Sequence, residues 1–218
     1  MMHPLRFPAR WLAPLVTVAL LVVAQAAPAQ GVAVEEGKNF VRLKNPQPVE
    51  SGKKIEVLEF FSYGCPHCGD LEPVLQGWLR SLPADVQFRR IPVMFQERWI
   101  GYAKIYYTLE ALGAESKLSP AVFTTIHGRG ANLWQDKGFF DWAAGQGLDR
   151  KAVEEMYGSF AIAGKVKRAQ LAAQAYGVQS VPLVIVDGKY MTKDVQHAAM
   201  PAVLDALIAK ARAERPKS

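Results

Sequence analysis

The amino-acid sequence predicts an α/β protein in which a small sheet domain is interrupted by a helical insertion. Runs of apolar residues typical of strands occur at residues 54–62, 86–93 and 183–192. Between residues 95 and 168 the apolar residues recur at helical spacing instead, and glycines separate the segments. The simplest architecture places the strands in one sheet and the intervening helices in an insertion.

The first residues have the pattern of an export signal. Arg6 and Arg10 give a positive start, residues 12–23 are a short apolar run, and small residues follow at 24–26, where a signal peptidase would cleave. A membrane anchor is the alternative, but a bilayer core requires about 20 apolar residues. We therefore predict a cleaved signal peptide at residues 1–26 and export of the remaining chain.

The composition is that of an ordinary globular protein. Of the 218 residues, 50% are hydrophobic and 21% are charged, and the net charge is +6. The basic residues are scattered and do not alternate with aromatic residues along a stripe, so no nucleic-acid binding is predicted. Two cysteines cannot form the multi-bridge framework of a small secreted scaffold.

The first half of the chain predicts a strand–helix–strand unit, preceded by a short strand at residues 40–43. Residues 54–62 form a nearly continuous apolar run, which is typical of a central buried strand. Gly64 ends the run, and Pro66 suits the first position of a helix. Residues 86–93 then return as a strand, so we expect a parallel pair joined by a right-handed crossover.

The second half predicts a series of helices, then a hairpin and a last helix. Apolar spacing places five helices at residues 99–112, 120–127, 139–144, 149–157 and 160–176. Two short strands joined by Asp187-Gly188 predict a β-hairpin over residues 183–192. Residues 201–213 predict the terminal helix.

The sequence Cys65-Pro66-His67-Cys68 falls at the start of a helix, directly after the predicted central strand. The first turn of a helix has unpaired amide groups and the positive end of the helix dipole, and both stabilise a thiolate. The thiolate is the form that attacks disulfides. Two intervening residues bring the second sulfur within bonding reach, and His67 can add a positive charge or a hydrogen-bond donor. The pattern predicts a redox-active cysteine pair.

Three other roles for the two cysteines are less consistent with the sequence. A structural disulfide closing so short a loop would constrain the unfolded chain little. A zinc site needs more ligands, but there is no second cysteine pair and the histidines His67, His127 and His197 lack ligand spacing. Haem attachment requires a histidine directly after the second cysteine, where Gly69 stands. We therefore predict no metal and no cofactor other than the redox-active disulfide.

Val181-Pro182, at the start of the predicted hairpin, is a candidate part of the site. A proline has no N–H for a sheet ladder, so it indicates a strand start or an edge. By itself the pair is a weak signal, because most bonds before proline are trans and a plain junction between loop and strand is the alternative.

Glu59 is a third candidate, because it interrupts the apolar run of the central strand. A buried, unpaired carboxylate is costly, so such a residue needs a role or a partner. A salt bridge to Arg89 or Arg90 on the neighbouring strand is the alternative to a role in the chemistry. Glu72, in the helix after the cysteines, could assist Glu59, but it is interpreted as a solvated residue on the helix face.

Together these features resemble the thioredoxin superfamily and, more closely, the DsbA family of periplasmic disulfide oxidases. The resemblance rests on residues 58–68, which end in the Cys-Pro-His-Cys motif, on residues 181–182 and on the helical block between them. It implies a thioredoxin-like fold formed by residues 27–94 and 169–218, with an inserted helical domain at residues 95–168.

The resemblance also implies roles in catalysis. Cys65 would be the nucleophile and Cys68 the buried resolving thiol. Pro66 and His67 between them are the specific part of the family's motif. Glu59 would lie beneath the cysteines and help to relay a proton.

Substrates and partners follow from the same resemblance. A cis peptide bond at Pro182 would pack against the cysteines, and Val181 would offer its backbone to the substrate chain. The substrates would be reduced, newly exported proteins in the periplasm, which receive the disulfide through a mixed-disulfide intermediate. A membrane protein of the DsbB type, which reduces a quinone, would reoxidise the pair, and the chain would act as a monomer.

Two rival functions remain open from the sequence alone. The first is a disulfide isomerase or reductase of the same superfamily; such isomerases usually carry a separate dimerisation domain, and the arm before Lys53 is too short to form one. The second is a non-enzymatic, chaperone-like module that binds peptides and whose cysteines are incidental.

Overall fold

Five strands form one mixed sheet with the order β1-β5-β4-β2-β3. The structure, a computed structural model, describes His3 and residues 33–215, so the predicted signal peptide lies outside the described residues apart from His3. The strands are β1 Phe40–Arg42, β2 Ile55–Phe61, β3 Val86–Pro92, β4 Leu183–Val186 and β5 Tyr190–Thr192. Their positions confirm the three predicted strand regions and the short strand in the N-terminal arm.

The central strand is β2, which pairs in parallel with β3 and antiparallel with β4. All seven of its residues are buried. An apolar strand of this kind requires cover on both faces, which explains why its sequence is nearly continuous in apolar residues. The predicted parallel pair and the predicted hairpin of β4 and β5 are both confirmed.

Seven α-helices complete the fold within the described residues. They are α1 Pro66–Leu79, α2 Arg98–Ala111, α3 Glu115–Phe123, α4 Asp136–Gly145, α5 Arg150–Tyr157, α6 Phe160–Ala175 and α7 Met200–Glu214. Five of them, α2 to α6, lie in the chain between β3 and β4, as the prediction of a helical insertion requires. Among the helices of residues 33–215, none is long and apolar enough to cross a membrane.

One helix differs from its prediction. The helix expected at residues 120–127 begins at Glu115 and ends at Phe123, and a π-helical turn, Thr124–Gly128, follows it. Proline suits the first helical turn, but Pro120 lies inside this helix. The actual start is favoured by the acidic Glu115, whose charge complements the helix dipole. Helix α6 continues through residue 168, where the sequence places the end of the insertion. The helix therefore does not mark that domain boundary, which stays a prediction.

Two apolar cores pack against the sheet. One contains Val57 of β2, Leu71 and Leu75 of α1, and residues of α7. The other contains Phe60 and Phe61 of β2 together with the helices of the insertion. Strand β2 therefore contributes to both cores, and the segment after it, which carries the cysteines, starts from a rigid base.

Candidate active site

Cys65 and Cys68 lie at the N-terminus of α1, as the sequence predicts. Cys65 is the N-cap residue and Pro66 occupies the first turn. The carbonyl of Cys65 accepts hydrogen bonds from the amides of Cys68 and Gly69, each at 3.2 Å, and its own amide donates to Ser62 O at 3.0 Å. These bonds fix both cysteines on one helical turn. Both side chains are free thiols in the structure.

The two cysteines differ in exposure and in acidity. Cys65 is 7% exposed and Cys68 only 1%. The hydrogen bond from the Cys68 thiol lowers the pKa of Cys65 to about 6 against the opposing effect of burial, and the amides of Cys68 and His67 assist. Burial raises the pKa of Cys68, and its hydrogen bond to Cys65 adds to this effect. At neutral pH the arrangement gives a thiolate at Cys65 and a protonated thiol at Cys68.

His67 lies on the solvent side of the motif. Its side chain is 76% exposed, and its Nδ1 atom is 3.7 Å from Asp70 Oδ2. Its charge lowers the pKa of Cys65, in addition to the contribution of its amide. The structure therefore places His67 where a positive charge acts on the outer sulfur.

The Val181–Pro182 peptide bond is cis, as the resemblance implies. The Sγ atom of Cys65 lies 3.4 Å from the carbonyl oxygen of Val181, so the thiol can donate a hydrogen bond to it. A groove of about 490 Å³ opens beside this contact and is lined by His67, Val181, Pro182, Met191 and other residues near β5. The structure thus brings the segment of residues 181–182 against the outer cysteine.

Glu59 is buried at the sheet centre and has a charged partner. Its Oε2 atom accepts a hydrogen bond from Arg90 Nε at 2.7 Å, and the two residues are register neighbours on β2 and β3. Burial nevertheless raises the pKa of Glu59 to about 7, although Arg90 opposes the shift. The Glu59 charge also raises the pKa of Cys68. Of the two arginines that the sequence offered as partners, Arg90 is the one that pairs with Glu59, whereas Arg89 pairs with Glu56.

The interpretation of Glu72 as a solvated residue is wrong. Glu72 is only 3% exposed, and its Oε2 atom is 2.5 Å from Arg90 Nη2. It lies one helical turn after Cys68, so the two residues share a face of α1. That face is turned towards Arg90, which explains the burial. Gln76 Nε2 donates a further hydrogen bond to Glu72 at 2.9 Å.

Sequence reasoning missed the contacts that hold the segment before the cysteines. The backbone carbonyl of Tyr63 accepts a hydrogen bond from His127 Nε2 at 2.8 Å, and the Tyr63 hydroxyl meets Ser119 Oγ. Gly64 packs against Trp99, since a Cβ atom there would lie 2.6 Å from Trp99 Nε1. These partners come from the insertion, and no local pattern in the sequence indicates them.

Comparison with known proteins shows to which family this chain is similar. A family profile described as "DSBA-like thioredoxin domain" matches residues 84–207. The thiol:disulfide interchange protein DsbA of Burkholderia cepacia is 37% identical over 190 residues, which cover 85% of this chain and 88% of that protein. The protein of the same name from Bordetella parapertussis is 36% identical over 207 residues, or 93% of this chain and 96% of the relative.

Solved structures give the same relationship. The crystal structure of Pseudomonas aeruginosa DsbA matches with a TM-score of 0.75 and 41% identity, covering 81% of this chain and 94% of that one. The oxidoreductase NmDsbA1 from Neisseria meningitidis matches with a TM-score of 0.75 and 29% identity over 83% of this chain and 95% of that one. The chain therefore belongs to the DsbA family: it is a thiol:disulfide oxidoreductase with a thioredoxin-like fold and a helical insertion.

Proposed function

We propose that this oxidoreductase works as a disulfide oxidase that donates the Cys65–Cys68 disulfide to reduced, newly exported proteins in the periplasm. The observation that carries the proposal is the asymmetry of the cysteine pair. Cys65 is the more exposed and has the lowered pKa, whereas Cys68 is buried and has a raised pKa. In a pair of this kind, one sulfur can form the mixed disulfide with the substrate, and the other remains buried in the protein.

The reaction proceeds in two exchange steps. A substrate thiolate attacks Sγ of Cys65, the Cys65–Cys68 bond breaks, and Cys68 leaves and takes up a proton. A second substrate thiolate then attacks the substrate sulfur of the mixed disulfide, and Cys65 leaves as a thiolate. The substrate gains a disulfide, and the protein is left with two reduced cysteines. The lowered pKa of Cys65 favours the second step, because a thiol of low pKa is the better leaving group.

Glu59 is proposed to serve the buried sulfur. A thiolate leaving at Cys68 has a raised pKa and needs a proton, and little water reaches a residue that is 1% exposed. A carboxyl group whose pKa is about 7 can hold a proton at neutral pH and also release it. Pro66 and His67 are proposed to act on Cys65 instead: Pro66 starts the helix, and His67 contributes positive charge.

Val181 and Pro182 are proposed to bind the substrate chain. In a mixed disulfide Cys65 carries no S–H, so the carbonyl of Val181 becomes free to accept a hydrogen bond from a substrate amide. An extended segment could then add as a short strand along the groove beside β5. Recognition of backbone suits an enzyme whose substrates are many unfolded chains.

The remaining features of the proposal concern partners. We propose that the chain acts as a monomer, without a metal or another cofactor, and that a DsbB-type membrane protein reoxidises it. Support comes from the family to which the chain belongs. Reoxidation by membranes that contain such a protein, compared with membranes that lack it, tests the partner.

Catalysis of dithiothreitol oxidation and of refolding of a reduced, disulfide-containing protein tests the function. The wild-type chain should accelerate both reactions, and a Cys65→Ser, Cys68→Ser double variant should accelerate neither. If the double variant promoted refolding as well as the wild type, the chaperone-like alternative would replace the oxidase.

A further inference from the structure

Arg90 binds three carboxylates in the interior beneath the cysteines. Its guanidinium is 2.7 Å from Glu59, 2.5 Å from Glu72 and 3.1 Å from Glu115, and its side chain is only 4% exposed. One positive charge thus faces three acidic groups from three different elements, namely β2, α1 and α3. An excess of buried negative charge is costly unless one carboxyl group holds a proton.

Glu115 also has a hydrogen-bond partner outside the charge cluster. Ser119 Oγ donates a hydrogen bond to Glu115 Oε1 at 2.9 Å. The Ser119 hydroxyl has one proton, so the Tyr63 hydroxyl, which it also meets, is the donor in that contact. Tyr63 is fully buried and lies two residues before Cys65. A directed chain of hydrogen bonds therefore runs from Tyr63 through Ser119 to Glu115.

We propose that Glu115 is a positioning residue for the exchange reaction, which couples the charge cluster beneath Cys68 to the segment that carries Cys65. The inference rests on the proposed roles of the two cysteines and deepens them. Glu115 touches neither sulfur. It acts through the charge that it adds near Glu59 and through the hydrogen bonds that end at Tyr63.

The charge acts on the proton affinity of Glu59. The groups that face Glu59 are Arg90 from β3, Glu72 and Cys68 from α1, and Glu115 from α3. Arg90 lowers the pKa of Glu59, whereas Glu72 and Glu115 raise it. Loss of the Glu115 charge should therefore make Glu59 easier to ionise. If Glu59 is the base that accepts the proton of Cys68, the attack of Cys68 should reach full speed at a lower pH.

Oxidised glutathione is the probe that separates the two cysteines. The Cys65 thiolate of the reduced protein attacks it, which releases one glutathione thiolate and leaves the other on Cys65. Cys68 then gives up its proton and attacks Cys65 Sγ, which forms the protein disulfide and releases the second glutathione. Mass spectrometry of acid-quenched samples follows both steps, capture and release, as a function of pH.

Three variants and a matched control define the outcome. Glu115→Gln should lower the pH midpoint of release by about one pH unit, the size expected when one nearby charge is removed. Glu115→Asp, which keeps the charge, should restore the wild-type midpoint. Tyr63→Phe, which removes only the hydroxyl, should slow capture severalfold. The control is Glu110→Gln, because Glu110 lies on α2 and pairs with Lys165 outside the cluster.

An unchanged release midpoint in Glu115→Gln, or a shift of equal size in Glu110→Gln, would overturn the inference. Capture of glutathione by Tyr63→Phe at the wild-type rate would also overturn it. This second measurement tests the inference even if Glu115→Gln does not fold. Cys68→Ser, measured in parallel, should capture glutathione and not release it. Release by Cys68→Ser at the wild-type rate would contradict the proposed function itself, whereas blocked release with an unshifted Glu115→Gln would contradict only the role of Glu115.

Discussion

The sulfur of Cys65 lies 3.4 Å from the carbonyl oxygen of Val181, a residue 116 positions later in the chain. A thiol can donate to that oxygen, but a thiolate cannot, and the carbonyl dipole does not favour a negative charge. The contact therefore positions only the protonated sulfur. The thiolate is stabilised by the hydrogen bond from Cys68 and by the charge and amide of His67. Thus one contact determines where the protonated Cys65 sulfur lies, and other groups determine its pKa.

The cysteines should behave differently when they are replaced one at a time. Cys68→Ser should hold most of the captured substrate on Cys65 as a mixed disulfide, because no resolving thiol remains inside. Cys65→Ser should capture little, because Cys68 is 1% exposed and its pKa is raised. Non-reducing gels of both variants with a substrate protein that carries a disulfide check this, because the attacking thiolate must break an existing S–S bond. The opposite pattern would reverse the assignment of the nucleophile.

The pKa of Cys65 should be near 6, well below the value of about 8.5 for a free thiol. Thiolate absorbance as a function of pH measures it. His67→Leu should raise this pKa by less than about one unit, because the charge is lost but the amide remains. An unchanged midpoint in His67→Leu would remove the imidazole from the mechanism.

The same shift predicts a pH dependence of stability. A folded-state pKa below the unfolded value adds stability that is complete above about pH 8.5 and is lost as the pH falls through about 6. The oxidised protein has no thiolate and lacks this contribution. The free energy of unfolding of the reduced form, relative to the oxidised form, should therefore rise over this pH range. Denaturant titrations of both forms at several pH values would contradict the assignment if the difference stayed constant.

Glu59→Gln should slow the release of glutathione by roughly a hundredfold or more, as expected when a proton-transfer group is lost. The substitution should also make the free energy of unfolding less dependent on pH. The raised pKa of Glu59 makes the wild type lose stability as the pH rises from 4.5 to about 7, and the variant should lack this loss. A strongly destabilised variant with normal exchange would show that the pair with Arg90 serves only the fold.

Gly64→Ala should destabilise the protein by about 1–3 kcal/mol, the usual cost of overpacking. The added Cβ atom would lie 2.6 Å from Trp99 Nε1 and 2.8 Å from Tyr102, so the segment before Cys65 must shift. Gly145→Ala is the control, since a Cβ atom there meets nothing within 4 Å. Thermal unfolding of the two variants measures the difference, and equal stability would show that the segment adapts without cost.

Features that depend on local pattern were predictable from the sequence. The continuous apolar run of β2, the helix that starts at Pro66 and the turn at Asp187 all follow from nearest-neighbour chemistry, and the structure confirms them. The cysteine motif could be recognised for the same reason, because the strand before it and the helix after it are its neighbours in the sequence.

Features that depend on packing between distant elements were not predictable. Helical spacing places Glu72 on the face of Cys68, but it does not show that Arg90 and Glu115 cover this face. Helix α3 starts at Glu115 and not at Pro120, which the helix tolerates internally. The sequence offers two arginines, Arg89 and Arg90, as salt-bridge partners of Glu59. Only the register between β2 and β3 shows that the partner is Arg90.

The reduction potential of the Cys65–Cys68 pair, measured by equilibration with reduced and oxidised glutathione, tests the central claim most directly. Stabilisation of the Cys65 thiolate favours the reduced protein, so the pair should be more oxidising than the glutathione couple. The reduced fraction of the protein, followed as a function of the squared concentration of reduced glutathione divided by the concentration of oxidised glutathione, should give a potential above that of the glutathione couple. A potential below that of the glutathione couple would make the pair a reductant, and the oxidase assignment would be wrong.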